Sequence, residues 1–210
     1  MKNRVMKNKQ DFILKVENEG FFGSLNRFTY RRFDRATAVW SDCAAHNILM
    51  FVTEGEATCS CTDTAREIAI HRKGIILSRN SSFVIEFKPG CEVLTYSFDS
   101  YLPIDASIYA DLASDSEYIG NEASAFDIPK ALQHELVNII QNIESIRLNE
   151  MLTHLYMRKV TAIMQKCMKP GQMAKLFAIG QSELGSEIFR YMKIAENRIN
   201  LTKKSVEVIF

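Results

Sequence analysis

The sequence predicts a mainly β protein with an α-helical tail: an antiparallel β-barrel, then a helical hairpin and short helices. Two observations carry this. Between His46 and Phe98 short apolar runs (NILMFV, EIAI, GIIL, FVIEF, CEVLTYSF) are separated by Gly, Pro, Asp and Ser. β-Branched and aromatic runs of that length, punctuated that often, belong to strands joined by tight turns. From about Ile128 onward the apolar residues recur instead at helical spacing.

Taken in order, residues 1–25 form a polar N-terminal arm or covering segment that ends in Gly20-Phe21-Phe22-Gly23, and residues 26–127 form the barrel. The basic, aromatic text from Phe28 to Trp40 suits base stacking, but its Thr, Tyr, Phe and Val content reads better as an edge strand with a solvated Arg face. Gly55 supplies a turn after Ile48–Val52. Ala57, Cys59 and Cys61 then alternate with hydroxylated residues, and Thr62-Asp63-Thr64 turns the chain into Ile68 and Ile70. Gly74 opens Ile75-Ile76-Leu77. Phe83, Ile85 and Phe87 alternate with Val84 and Glu86, and Lys88-Pro89-Gly90 turns into the strand Cys91–Phe98. Closing these strands into a barrel removes exposed edges. If the alternation holds, Met50, Val52, Cys59, Cys61, Ile68, Ile70, Phe83, Ile85, Val93 and Thr95 face the interior. That lining either fills the barrel itself or holds an apolar or mixed small molecule.

Asp99 to Asp127 reads as a loop with one short helix at Ile108–Ala113. Residues 128–210 form a helical region for dimerisation and linkage. Pro129 suits a first helical turn. Leu136, Ile139, Ile143 and Ile146, following Leu132, make an a/d-like seam, and Leu152, Tyr156, Val160, Ile163 and Cys167 make a second before Lys169-Pro170-Gly171 stops it. The two patterns have the size of an antiparallel helical pair, with any exposed remainder left as a dimer face. Shorter helices are expected around Met173–Phe177 and Ser186–Ala195.

A net charge of +1 over 210 residues selects no nucleic acid, membrane or acidic substrate. No apolar stretch approaches the roughly 18 residues of a membrane span. Five cysteines, an odd number, argue against a complete disulfide framework and for a cytoplasmic setting. The four histidines are scattered, so no zinc-type pair exists, and phosphate-binding and nucleophile-elbow motifs are missing. Neither a metal nor an organic cofactor is expected, and no catalytic residue is assigned.

Gly55, Glu67 and Gly74 fall at the glycine, glutamate and glycine positions of the first cupin motif, so this stretch resembles a cupin barrel. Cys61 and Asp63 stand where that motif has its two histidines, which removes the usual ground for metal chemistry. Cys61, Asp63 and Glu67 remain as conceivable ligands. More of the chain resembles the N-terminal sensor domain of AraC-type transcriptional regulators. The resembling pieces are HNILMFVTEGEATCSC, HRKGIILSRNSSFVIEF, LTYSFDSYLPID, LTHLYMRKVTAIMQKCMKPGQMAKLF and IFRYMKIAENRINLTKKSVEVIF. The resemblance implies a metal-free cupin-like barrel that senses a small-molecule effector, helices that make a homodimer, and transcription regulation in a full-length protein. DNA would be contacted only through a helix-turn-helix domain absent from these 210 residues. Two alternatives stay open: a metal-dependent small cupin enzyme, and a cyclic-nucleotide-type β-roll regulator using Arg79 and Glu86.

Overall fold

The computed structural model describes residues 13–15, 21–41, 44–61, 66–79, 81–99, 124–168 and 173. The turn at Thr62–Thr64, the short helix at Ile108–Ala113, that at Ser186–Ala195 and most of that at Met173–Phe177 lie outside them.

Among the described residues ten strands form two mainly antiparallel five-stranded sheets, followed by helices. The strands are β1 (Ile13–Lys15), β2 (Phe28–Phe33), β3 (Thr37–Ser41), β4 (Asn47–Glu54), β5 (Glu56–Cys61), β6 (Arg66–His71), β7 (Lys73–Leu77), β8 (Phe83–Phe87), β9 (Cys91–Phe98) and β10 (Ser124–Asp127). The first sheet has the order β1-β3-β8-β5-β6 and the second β10-β7-β4-β9-β2; β1 pairs in parallel with β3. The stretch Phe28–Trp40, expected as one edge strand, forms two: β2 is at the edge of the second sheet, whereas β3 lies inside the first, between β1 and β8. The long connection before the helices, read as loop, contributes β10 at the opposite edge.

Two glycines are required by geometry. Gly55 sits in the β4–β5 turn at φ +74°, and an added Cβ there would lie 2.7 Å from the Cα of Cys91. Gly74 on β7 faces the Phe126 ring so closely that a Cβ would fall 2.2 Å from it.

The core has two compartments separated by the second sheet. Between the sheets lie Val39, Ile48, Met50, Val52, Ala57, Cys59, Ile70, Ile75, Phe83, Ile85, Phe87 and Val93, among others. On the outer face of the second sheet, Phe28, Leu49, Phe51, Ile76, Leu94 and Tyr96 pack against three helices. These are α1 (Lys130–Gln141), α2 (Ile143–Leu148) and α3 (Glu150–Cys167).

The helices correct two sequence expectations. The first seam is broken at Asn142, which separates α1 from α2. Leu136, Ile139 and Ile146 are buried and Ile143 half-buried, but they pack on the sheet as well as on α3. The face α3 buries is Thr153, Met157, Val160, Thr161 and Met164, about one residue around from the predicted one. Of the second seam only Val160 is fully buried; Leu152, Tyr156 and Ile163 are half-buried and Cys167 is exposed. Methionine fills irregular gaps without branching. The two threonines bury their hydroxyls by donating to backbone carbonyls, Thr153 to Ile146 at 2.7 Å and Thr161 to Met157 at 3.1 Å. Asn149 caps α3 by accepting from the Leu152 N–H at 3.2 Å.

Candidate functional site

The chamber between the sheets, filled by its own side chains, is built by strand alternation. Cross-strand register sets Met50 opposite Ile75 and Thr95, and Val52 opposite Val93, on one wall. On the other wall Cys59 lies between Ile68 and Ile85, with Cys61 opposite Phe83 and Ala57 opposite Ile70 and Phe87. Every residue proposed from alternation therefore shares this chamber: Met50, Val52, Cys59, Cys61, Ile70, Phe83, Ile85, Val93 and Thr95 are buried and Ile68 half-buried.

Of the two readings of residues 1–25, arm or covering segment, Phe21 and Phe22 follow the second, though sequence reasoning did not place them in the core. Phe21 and Phe22 precede β2, outside any strand, yet only 8% and 7% of their surface is exposed and both belong to the inter-sheet core. Phe21 packs on Phe33 and Phe87 with centroids 5.9 and 6.0 Å apart, and Phe22 meets Phe83 edge-on at 5.7 Å. Phe33 and Phe87 stack at 4.2 Å. The repeated Phe between two glycines was the available signal, because two adjacent phenyl rings in a polar arm are expensive to leave in water.

The backbone of this pair is held by polar groups. The hydroxyls of Ser97 and Thr95 donate to the Phe22 carbonyl at 3.0 and 3.2 Å. Arg31 Nε donates to the Phe21 carbonyl at 2.9 Å, and its guanidinium lies 4.7 Å from the centre of the Phe21 ring. The Asn26 N–H donates to the Ser97 carbonyl at 2.7 Å. The site is thus an apolar chamber with a polar corner at Arg31, Thr95 and Ser97, and the inserted Phe21-Phe22 pair bridges the two.

Burial dominates the chemistry of the ionisable groups. The Cys91 thiol is pushed up to about 11 by desolvation and then by Glu92, and burial raises the Tyr96 phenol to about 12. The Cys59 thiol is raised still further, first by its hydrogen bond with Cys61 and then by burial. These thiols are protonated and unreactive as nucleophiles near neutrality.

Cys61 and Glu67, read as conceivable metal ligands with Asp63, are not brought together. Cys61 is buried on the inward face of β5, whereas Glu67 is exposed on the outward face of β6, opposite Ser60. Asp63 lies outside the described residues. No group of three or more His, Cys, Asp and Glu positioned for a metal occurs among the described residues. Of the pair weighed for a cyclic nucleotide, Arg79 is engaged by Asp99 at 2.9 Å and Glu86 is exposed. Among the described residues no helix is long and apolar enough to cross a membrane.

No family model and no curated protein matches the sequence. Solved structures do: the chain is similar to ToxT of Vibrio cholerae, an AraC-family regulator. Against a 1.65 Å ToxT structure the identity is 11% and the TM-score 0.46, covering 72% of this chain and 58% of ToxT. Against ToxT of strain O395 the values are 10% and 0.42, covering 68% and 55%. A structure of ToxT with an unsaturated fatty acid bound aligns at 9% identity and a TM-score of 0.41, covering 84% and 80%. In the first two alignments this chain spans between half and two thirds of ToxT. At such identities no residue's role passes from ToxT to this protein.

Proposed function

We propose that this chain is the effector-sensing and dimerisation part of an AraC-type transcription regulator, a non-catalytic module. The observation that carries the reading is the two-faced second sheet. The inward side chains of β4 and β9 (Met50, Val52, Val93, Thr95) line the chamber, and their outward neighbours (Leu49, Phe51, Leu94, Tyr96) carry the helices. An occupant of the chamber would press on the wall that holds α1 and α3. The lining favours a small apolar or mixed molecule, with Arg31, Thr95 and Ser97 as its polar contacts once the Phe21-Phe22 pair moves aside.

The dimer face in this reading is the outer side of α3. Met151 and Leu155 are 81% and 61% exposed, and Leu148, just before α3, is 82% exposed. Arg158 and Ala162 continue the stripe at spacings of three and four, and both are exposed. Exposed leucine and methionine at seam spacing are what a second copy would cover. The earlier seam residues are spent on the protein's own sheet and helices. Effector and dimerisation fit a regulator because two reading heads grip two half-sites only at fixed spacing.

The test is displacement of a fluorescent apolar probe, anilinonaphthalene sulfonate, from the folded chain and from Phe22→Ala. Emptying a phenyl ring from the chamber is expected to strengthen probe binding, and small apolar carboxylates are expected to compete. The reading fails if probe binding is absent from both proteins. Tight binding of iron or manganese with turnover would favour the cupin-enzyme alternative, and heat on mixing with cyclic nucleotides the β-roll alternative.

A further inference from the structure

One pair of core residues brings two thiols together as well as packing between the sheets. Cys59 and Cys61 are two residues apart on β5, so both point inward, and their thiols are in hydrogen-bond contact. A thiol is a weak donor and a weak acceptor, so this contact adds little to folding that two alanines or valines would not supply. Both cysteines are free of disulfides. Across the neighbouring strands Cys59 stands opposite Ile68 and Ile85, and Cys61 opposite Phe83 and Arg66, so no hard oxygen ligand occupies a partner position. Cys59 is fully buried and Cys61, at the strand's end, keeps 9% of its surface exposed.

We propose that Cys59 and Cys61 form a two-coordinate site for a soft, thiophilic monovalent metal ion of the copper(I) class. The ligand set selects the ion. Structural zinc takes four ligands in a tetrahedron, and no group of three or more His, Cys, Asp and Glu suited to a metal occurs among the described residues. Calcium, magnesium and manganese require oxygen ligands. Two thiolates on one face of a strand match a soft ion that accepts few ligands. In the binding step two S–H bonds break, two sulfur–metal bonds form and two protons leave to solvent. No electron is transferred, so no oxidant or reductant is needed. The site is independent of the effector reading: it needs only the geometry of β5.

The experiment uses the reduced full chain under anaerobic conditions, with Cys43→Ser and Cys167→Ser removing two further thiols. Copper(I) is offered as its bicinchoninate complex, whose colour reports withdrawal of the ion. The expected result is one copper withdrawn per chain, two sulfur neighbours by X-ray absorption, and a thermal midpoint that rises with copper. Loss of an outer hydrogen-bond partner of a metal ligand alone costs about 10–100-fold in affinity, so Cys61→Ala should weaken binding by about 100-fold or more. Cys61 sits at the strand end, so this variant should fold, and an unchanged far-ultraviolet spectrum would verify it. The thermal midpoint of Cys61→Ala should no longer respond to copper. No withdrawal by the parent chain overturns the proposal, as does equal withdrawal by Cys61→Ala. Equal loss on Cys91→Ala also overturns it, because Cys91 lies at the other end of the chamber beside Gly55.

Discussion

Replacing Leu155 by Glu tests the proposed dimer face with little risk to the fold. The residue is 61% exposed in the isolated chain, so about three fifths of its side chain remains for a partner to cover. Full burial of a leucine contributes about 1.5–3 kcal/mol, which gives about 1–2 kcal/mol for the uncovered part. In a two-fold dimer the same patch is used by both copies, so the loss doubles to about 2–4 kcal/mol. At 1.4 kcal/mol per tenfold, the dimer dissociation constant should rise by about 30- to 700-fold. The introduced carboxylates, facing one another or an apolar partner, add to that loss. Chain stability should change by no more than about 0.5 kcal/mol, because the side chain touches little of its own protein. Sedimentation equilibrium over the micromolar range reads the dissociation constant, and urea unfolding reads the stability. Leu155→Ala should give a smaller effect of the same sign. A parent chain that stays monomeric at high micromolar concentration refutes the reasoning, and so does a dimer indifferent to Leu155→Glu.

Other expectations follow from the packing. Gly55→Ala combines a left-handed backbone, worth about 1–2 kcal/mol against any residue with a Cβ, with a 2.7 Å approach to the Cys91 backbone. Urea unfolding should show a loss above that range, and a neutral substitution would mean the turn is not as described. Glu135 is buried between helices with Oε1 unpaired and Oε2 2.6 Å from Lys159, whose side chain is 56% exposed. Breaking a fully buried pair costs about 3–5 kcal/mol; discounted for the exposed partner, Lys159→Met should cost about 1–2 kcal/mol. The double variant Glu135→Leu with Lys159→Met should recover most of that, and an additive double-mutant cycle would show no coupling. The Cys91 and Tyr96 pKa values are raised on folding, so the unfolded chain releases these protons first. Their contribution to stability is complete below pH 9 and falls as pH rises through about 11 and about 12. Unfolding midpoints measured upward from pH 8 should therefore decline, less steeply at the alkaline end in Tyr96→Phe; a flat profile contradicts the burial assigned to both groups.

The barrel was legible because a strand writes its burial in a period of two. Cys59, Cys61, Ile68, Ile70, Phe83 and Ile85 could be assigned to one face without knowing the fold, and register puts them there. The helices were less legible because their buried faces use residues that a search for Leu and Ile passes over. Met157, Met164 and the hydroxyl-satisfied Thr153 and Thr161 pulled the true stripe of α3 away from Leu152, Tyr156 and Ile163. Asn142 broke the first seam because its side chain bonds back to the Asn138 carbonyl at 2.9 Å, competing with helix continuation. The Phe21-Phe22 pair was hidden by its setting: a polar arm gives no periodicity from which burial can be read. Cys61 and Glu67 show the converse limit, since a cupin-like spacing placed them in one motif and the pleat placed them on opposite faces.

The division of the core by the second sheet leads to one more prediction. Met50 and Thr95 point into the chamber, while Leu49, Phe51 and Leu94, their chain neighbours, pack under Leu132, Leu136, Ile139, Met157 and Val160. Interiors this close-packed do not absorb a shift within one residue, so a displaced inward side chain moves its outward neighbour. Met50→Ala should therefore loosen two places at once: the chamber wall and the helix layer. Truncating a buried Met to Ala costs about 2–5 kcal/mol overall. Native-state amide exchange is the discriminating measurement. Faster exchange in β4 and β9 accompanied by faster exchange in α1 and α3, with β3 and β8 of the opposite sheet little changed, is the expected pattern. If the loss spreads evenly over both sheets, or stops at the chamber and leaves the helices untouched, the second sheet is a partition rather than a lever, and the route from an effector to a dimer face through it is wrong.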